Sequence, residues 1–395
     1  MYACHFAGYD VVHVVDLPWL FSTGITSRSQ GLEARLFMAR WSADLAEAIP
    51  SHTIQRHRRS DRFLTALQRA ERVVFVSHVQ PDPDSLGSML GLAQLVQEKL
   101  NLPTLLTQEG GIFRAENRAL VDLLHLDLLP LEKYIRLPGD AVVMVDSQPG
   151  TGRHNISKVG IVTAVIDHHV TPGDLTGVTY CDIRPDLGAT CTLVLKYLSE
   201  QRLTIPDKLA TALLYGIETE LSGFPREATP ADDDAICLLI QLADKDLLAQ
   251  IRHARLPKSH FDVLSQALAQ ATLHDKLVLT WVDALAQPEQ AAEVVDLLIR
   301  FEQADWAICA GVHGMKLVFS VRAARANARA GELLHTAIGD IGNAGGHERR
   351  AGGCMTITDG SPSAIAKLRC EVTRRLIVAF GATASPSIPF VQAQV

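Results

Sequence analysis

Several features are scarce in this 395-residue chain, and each absence narrows its function. Positive charge is not in excess: Lys and Arg total 37 against 44 Asp and Glu, a net charge of −7. Proteins that coat duplex nucleic acid carry a basic surplus, so no stable duplex DNA partner is expected, and any nucleotide handled is small or gripped locally. The seven cysteines stand singly with no C-x-x-C pair, which argues against a disulfide framework or a zinc ribbon and fits a reducing cytoplasm. No apolar run approaches the ~18 residues needed to span a bilayer, so no membrane partner is expected. The first residues lack the basic start of a signal peptide, and Asp10 and Asp16 interrupt their apolar character. No internal repeat or low-complexity block is present. What remains is an ordinary globular composition, 47% hydrophobic and 21% charged, with length for two or three domains.

Residues 1–58 form an N-terminal extension whose order the sequence leaves open. The basic cluster Arg56, His57, Arg58, Arg59 at its end is either a nucleic-acid contact or a solvated hinge. From Phe63 the pattern becomes regular. Apolar runs at Val73–Val76, Pro103–Thr107, Ala141–Val145 and Val162–Ile166 read as buried strands. Helical stretches lie between or after them, at 63–70, 89–99, 115–125, 190–200 and 206–215. Strands alternating with helices predict an α/β domain on a parallel sheet over 59–255. Asp82–Gly87 reads as an extended polar loop stiffened by Pro81 and Pro83. Asp232-Asp233-Asp234, after Thr229-Pro230, reads as a helix start. A helical linker over 256–274 leads to a smaller α/β domain over 275–381, which opens with a strand at 276–281 and a hairpin, Ala307–Val312 and Lys316–Val321, around Gly314. A frayed tail, 382–395, completes the chain.

Four segments place acids or histidines at the ends of these elements, where open α/β sheets collect ligands. They are His78-Val79-Gln80-Pro81-Asp82-Pro83-Asp84, Val145-Asp146, Asp167-His168-His169 and Thr219-Glu220. Mixed carboxylates and imidazoles suit Mn²⁺ or a similar divalent ion, and two such ions sharing a carboxylate can activate water against a phosphoryl group. Taken singly, each piece is ordinary: a lone Asp after a strand caps a turn, and D-x-D pairs are frequent in loops. The ordered set H-x-x-x-D-x-D, D, D-H-H is what points to a metal centre.

That ordered set resembles the DHH phosphoesterase superfamily. The late segment Gly342–Gly353, with Gly345-Gly346-His347, resembles the G-G-H-x-x-A-[AG]-G signature of the DHHA1 domain. The two together span about residues 60–380. The resemblance implies two domains facing across a cleft and two divalent cations, manganese first, with magnesium or cobalt as alternatives. It implies His78 and Asp82 on one cation, Asp84 and His168 on the other, and Asp146 bridging both. Asp167 would orient the histidine pair, and His169 would donate to the scissile phosphate. Arg322, Gly345, Gly346 and His347 would bind substrate, with Arg325 and Arg329 as weaker candidates. Glu220 stands where many members carry Asp, so it is either a longer-reaching ligand or a structural residue. Ala189-Thr190-Cys191-Thr192 is either a phosphate-binding helix start or an ordinary cap.

Within the superfamily the chain looks most like bacterial short-oligonucleotide phosphoesterases, the nanoRNase and nucleoside-bisphosphate phosphatase type. A short oligonucleotide or small phosphorylated nucleotide is the expected partner, with a homodimer as the expected option for assembly. The alternatives are a cyclic-dinucleotide phosphodiesterase and a nucleotide-binding protein without turnover. A pyrophosphatase is disfavoured by the G-G-H segment, and a RecJ-like exonuclease by the acidic charge.

Overall fold

The computed structural model describes residues 58–152, 154, 159–222, 228–346, 348–382 and 388–391. The expectations for the N-terminal extension and for His347 lie outside them. Of the basic cluster, Arg58 and Arg59 are described, and both have structural work. The Arg58 guanidinium donates to the Glu200 carbonyl at 2.5 Å, and Arg59 pairs with the buried Asp182. Together they fasten the first helix, α1 (Arg59–Leu67).

The first domain is built on β1 (Arg72–Val76), β2 (Thr104–Gln108), β3 (Leu128–Pro130), β4 (Asp140–Val145), β5 (Ala164–Asp167) and β6 (Tyr180–Ile183). They form one sheet in the order β3-β2-β1-β4-β5-β6, and every pairing is parallel. The apolar runs are continuous because both faces are covered. Val74, Val76, Val142, Met144 and Val165 pack on one face with Leu131 and Tyr134. Alternate residues such as Val73, Phe75 and Val143 are fully buried on the other. Strands β3 and β6 escaped the sequence reading, since each is short and lacks a strong apolar run.

The helices of this domain are α2 (Pro83–Leu100), α3 (Ala115–Leu124), α4 (Thr190–Glu200), α5 (Asp207–Glu220), α6 (Pro230–Leu242) and α7 (Lys245–Arg252). The expected extended loop at Asp82–Gly87 is corrected here. Asp82 caps α2, its Oδ1 accepting the Ser85 amide at 3.0 Å, and Pro83 is the first helical residue. A proline there has no amide to lose and a φ already suited to the helix. The helix therefore begins six residues before Met89. At α6 the expected helix start holds: Thr229 and Asp232 form a capping box.

The second domain holds β7 (Thr272–His274), β8 (Leu277–Val282), β9 (Trp306–His313), β10 (Lys316–Ala323), β11 (Asn343–Gly346), β12 (Arg350–Thr356) and β13 (Ile388–Pro389). Their order is β11-β12-β10-β9-β8-β7-β13, with β8 and β9 parallel and the other pairs antiparallel. The hairpin around Gly314 is β9–β10. Helices α8 (Lys258–Gln270), α9 (Gln290–Leu298), α10 (Ala330–Ile338) and α11 (Pro362–Ala379) complete it. Two cores cover the two sheet faces, one with Phe319, Leu334 and Leu376, the other with Val278, Val295 and Cys309. Helix α8 lies in the stretch expected to be a linker, yet its Ala267 is buried in the second of these cores. The tail is not wholly frayed: Ile388 and Pro389 pair with β7. Among the described residues no helix is long and apolar enough to cross a membrane.

Candidate metal centre

Strand order reverses between β1 and β4, each of which runs parallel to its neighbours. At such a switch point the two loops leave in opposite directions and open a crevice at the carboxyl ends of the strands. His78 follows β1, Asp146 follows β4, and Asp167-His168-His169 ends β5. The β1 loop is pinned there. Gln80 takes a positive φ of 62°, donates its amide to the Glu109 carbonyl at 2.7 Å, and Val79 bridges Glu109 in parallel.

Asp146 is the hub. It is buried, and its φ of 57° lies in the left-handed region, which Asp and Asn tolerate better than other side-chain-bearing residues. Its Oδ2 accepts the Ser85 hydroxyl at 2.9 Å and its Oδ1 the Thr190 hydroxyl at 2.8 Å. Three imidazoles surround it: His78 Nε2 at 3.6 Å, His168 Nε2 at 3.6 Å and His169 Nδ1 at 3.8 Å. Two overlapping donor groups result. His78, Asp82 and Asp146 bring ligand atoms within 4.8 Å of one another, and so do Asp146, His168 and His169.

The imidazoles are oriented as metal-binding rings are. His78 Nδ1 faces the Val79 carbonyl at 2.9 Å and His168 Nδ1 the Leu187 carbonyl at 3.3 Å, which turns Nε2 inward in both. Among the described residues His168 Nε2, which is buried, has no hydrogen-bond partner; it lies 3.6 Å from Asp146 and 3.9 Å from Asp84. A buried nitrogen left unmatched between two carboxylates is unfavourable unless a cation completes it, so the donor set fits a divalent metal.

Asp84 sits in the first turn of α2, fully buried. Its two oxygens accept the backbone amides of Thr190 and Cys191, at 2.7 Å each, from the N-terminus of α4. The segment 189–192 thus serves the carboxylates, and Thr190 does so twice. Burial and the Asp146 carboxylate push the Asp84 carboxyl up to about 8. Burial also opposes ionisation of Asp146, but the His78, His169 and His168 rings outweigh it and hold that carboxyl far below the usual range. Two carboxylates in one site are split in this way, and a bound cation would ionise both.

Asp167 is buried and accepts from His169 Nδ1 at 2.8 Å; its other oxygen takes the Gln148 amide at 2.7 Å. Asp167 thus orients His169, while His168 is oriented by the Leu187 carbonyl instead. Glu220 ends α5, half-buried, and feels Asp82, His168 and Asp146, but it is in neither donor group. Burial and Asp82 push its carboxyl up, while Arg350 of the second domain opposes this.

Among the remaining expected residues, Gly345 and Gly346 lie on β11, paired with β12, so that segment is a hairpin rather than a loose loop. Gly346 has its own structural reason: an added Cβ would sit 2.3 Å from the Arg350 carbonyl, whereas Gly345 faces open space. Arg322 lies within β10, its Nε bonded to Asp296 at 2.7 Å. Arg325 pairs with Asp305 and Arg329 with Glu332. Ser85 and Gln148 escaped the sequence reading, whereas Arg350 reads from the sequence either as added local positive charge or as a solvent-exposed residue. Ser85 and Gln148 carry no metal-ligand signature, but Arg350 stands where the signature quoted above has alanine, which was a usable signal.

Residues 72–217 match the family model described as "DHH family, N-terminal domain". The chain carries a DHH-family N-terminal domain over these residues. The six-stranded parallel sheet described above is this DHH domain. The chain is 28% identical over 288 residues to an uncharacterized protein of Methanocaldococcus jannaschii, covering 73% of this chain and 58% of that one. It is 28% identical over 180 residues to a probable manganese-dependent inorganic pyrophosphatase of Lactobacillus helveticus, covering 45% and 56%. It therefore spans under two thirds of the length of these curated relatives. In fold it is similar to an exopolyphosphatase-related protein from Bacteroides fragilis, with a TM-score of 0.64, 17% identity, and coverage of 84% of this chain and 99% of that one.

Proposed function

We propose that the chain is a divalent-metal-dependent phosphoesterase acting on short oligonucleotides or nucleoside bisphosphates. The observation that supports it most is the pair of donor groups meeting on Asp146, with the unmatched His168 Nε2 between Asp146 and Asp84. In this reading His78 and Asp82 hold one cation, Asp84 and His168 the other, and Asp146 both. Manganese is the first choice, magnesium and cobalt the alternatives; the name of the Lactobacillus relative agrees with manganese. When bound, such ions neutralise phosphoryl charge and make water nucleophilic at neutral pH.

The protein's own part is positioning. Ser85 and Thr190 fix the Asp146 carboxylate, and the α4 amides fix Asp84. Gln148 holds Asp167, which orients His169 to donate to the scissile phosphate. The second domain acts as a DHHA1 substrate domain, with Arg322, Gly345, Gly346 and His347 toward the nucleotide. A cytoplasmic setting and a homodimeric assembly belong to the same proposal. A second reading, nucleotide binding without turnover, is favoured by one observation: Glu220, at the fourth motif, lies outside both donor groups.

The test is a Mn²⁺-supplemented activity panel of linear dinucleotides, cyclic dinucleotides, adenosine 3′,5′-bisphosphate and pyrophosphate. Turnover of the first or third, abolished by chelation, is expected. Turnover of pyrophosphate or cyclic dinucleotides alone overturns the substrate class, and binding with no turnover supports the second reading.

A further inference from the structure

We propose that Ser85 is a further metal ligand, its hydroxyl oxygen joining His78, Asp82 and Asp146 on one cation. The inference rests on the divalent-metal reading of the centre and on no choice of substrate.

Ser85 is the third residue of α2 and is fully buried. A serine near a helix start ordinarily uses its hydroxyl on a nearby backbone group. Here that task is already filled: Asp82 is the cap, and it holds the Ser85 amide itself at 3.0 Å. The Ser85 hydroxyl turns instead to side chains of the centre. Its Oγ lies 2.9 Å from His78 Nε2 and 2.9 Å from Asp146 Oδ2, the second of these 61 positions away in sequence. Those two atoms are themselves 3.6 Å apart, and His78 Nε2 is 3.6 Å from Asp82 Oδ2.

These spacings are those of a coordination shell. Donor atoms bound to one ion at ~2.1 Å stand about 3.0 Å apart on an octahedral edge and about 3.4 Å apart on a tetrahedral one. The triangle of Ser85 Oγ, His78 Nε2 and Asp146 Oδ2 has sides of 2.9, 2.9 and 3.6 Å. The proton count points the same way. His78 Nδ1 faces the Val79 carbonyl at 2.9 Å, so the neutral ring carries its proton there and Nε2 is an acceptor. Asp146 is an acceptor as well. Ser85 has one hydroxyl proton for the two of them, so one acceptor is left facing an oxygen lone pair. A cation among the three atoms turns that repulsion into coordination. Thr190 is the contrast: its hydroxyl meets Asp146 Oδ1 at 2.8 Å and, among the described residues, no imidazole. One proton there serves one acceptor, and Thr190 only positions the carboxylate. With Ser85 included, the cation is offered one nitrogen and three oxygens, a set that suits manganese or magnesium over softer ions.

The test replaces the hydroxyl by a thiol. Co²⁺ is titrated into the chelator-stripped full chain, as wild type and as Ser85→Cys, and near-ultraviolet absorbance is read, where a cobalt-bound thiolate absorbs by charge transfer. The variant should develop that band up to a single ion per chain, and the wild type should not. Cobalt bound without the band, or no cobalt bound by a folded variant, overturns the proposal. Ser85→Ala should weaken Mn²⁺ by about tenfold or more in calorimetric titration, and unchanged affinity overturns it too. Should Ser85→Cys fail to fold, a crystal structure of the Mn²⁺-loaded wild type decides. Oγ at about 2.0–2.4 Å from the ion is the expected result, and Oγ beyond about 3 Å is the refuting one. A wild type that binds no divalent ion sinks the metal reading itself, whereas a metal-loaded protein with Ser85 out of reach sinks only this inference.

Discussion

Asp146→Asn is the sharpest perturbation of the metal centre. Asparagine has the same shape, tolerates the left-handed φ of 57° as well as any side-chain-bearing residue, and can still hydrogen-bond the Ser85 and Thr190 hydroxyls. The backbone should therefore stay, and the change is the loss of one negative charge shared by two donor groups. A ligand that binds only the native state adds about 2.7 kcal/mol per site at a concentration of 100 times its dissociation constant. For a chain of this size each kcal/mol moves the unfolding temperature by about 2–4 °C at most. Mn²⁺ should thus raise the midpoint of the chelator-treated wild type by several degrees, at most about 5–10 °C, for one filled site, and Asp146→Asn should cancel most of that rise. Scanning calorimetry with and without Mn²⁺, alongside elemental analysis of bound metal, measures both. A variant that keeps two ions and the wild-type rise would refute the shared-carboxylate reasoning.

Two further predictions concern the scaffold. Asp140 is buried and accepts two bonds from Arg72 at 2.9 and 2.8 Å, the Tyr134 hydroxyl and the Leu137 amide. Breaking this pair with Asp140→Asn should cost about 3 kcal/mol in urea unfolding at neutral pH. Burial opposes ionisation of Asp140, but Arg72, Leu137 and Tyr134 outweigh it and lower its carboxyl. A lowered carboxyl stabilises above the unfolded value of about 3.9 and loses that contribution as pH falls. The gap between wild type and variant should therefore close below about pH 4, and a gap constant down to acid would contradict the assignment. Gly216→Ala would place a Cβ 2.7 Å from Cys191 Sγ and 2.9 Å from the Pro83 carbonyl. It should destabilise by about 1–3 kcal/mol and loosen cation binding, because the α2 turn that carries Asp84 must shift; an unchanged metal titration would show that the turn does not move.

Much of the architecture was readable along the chain because local rules set it. Continuous apolar runs marked β1, β4, β5 and β8, since a strand buried on both faces has no reason to alternate. The short strands β3 and β6 had no such run, and β11 is glycine-rich, so pairing alone defines them. The start of α2 was misplaced for a physical reason. Two prolines look like a stiff loop, yet the second is suited to the first helical position once Asp82 caps the turn.

For the site, residue chemistry and order along the chain were enough to nominate His78, Asp82, Asp84, Asp146, Asp167, His168 and His169, because metal-binding groups are few and their types distinctive. Their convergence was decided by the parallel order of the sheet, which brings the ends of β1, β4 and β5 to one crevice. Folding also chose the partners that carry no chemical signature of their own. Ser85 and Thr190 reach Asp146, Gln148 reaches Asp167, and Asp296 reaches Arg114 and Arg322 across hydrogen bonds that span up to 182 positions. Side-chain type is a local property and can be read residue by residue. Which hydroxyl or guanidinium meets which carboxylate depends on the packed backbone, and that exists only once distant segments share a core.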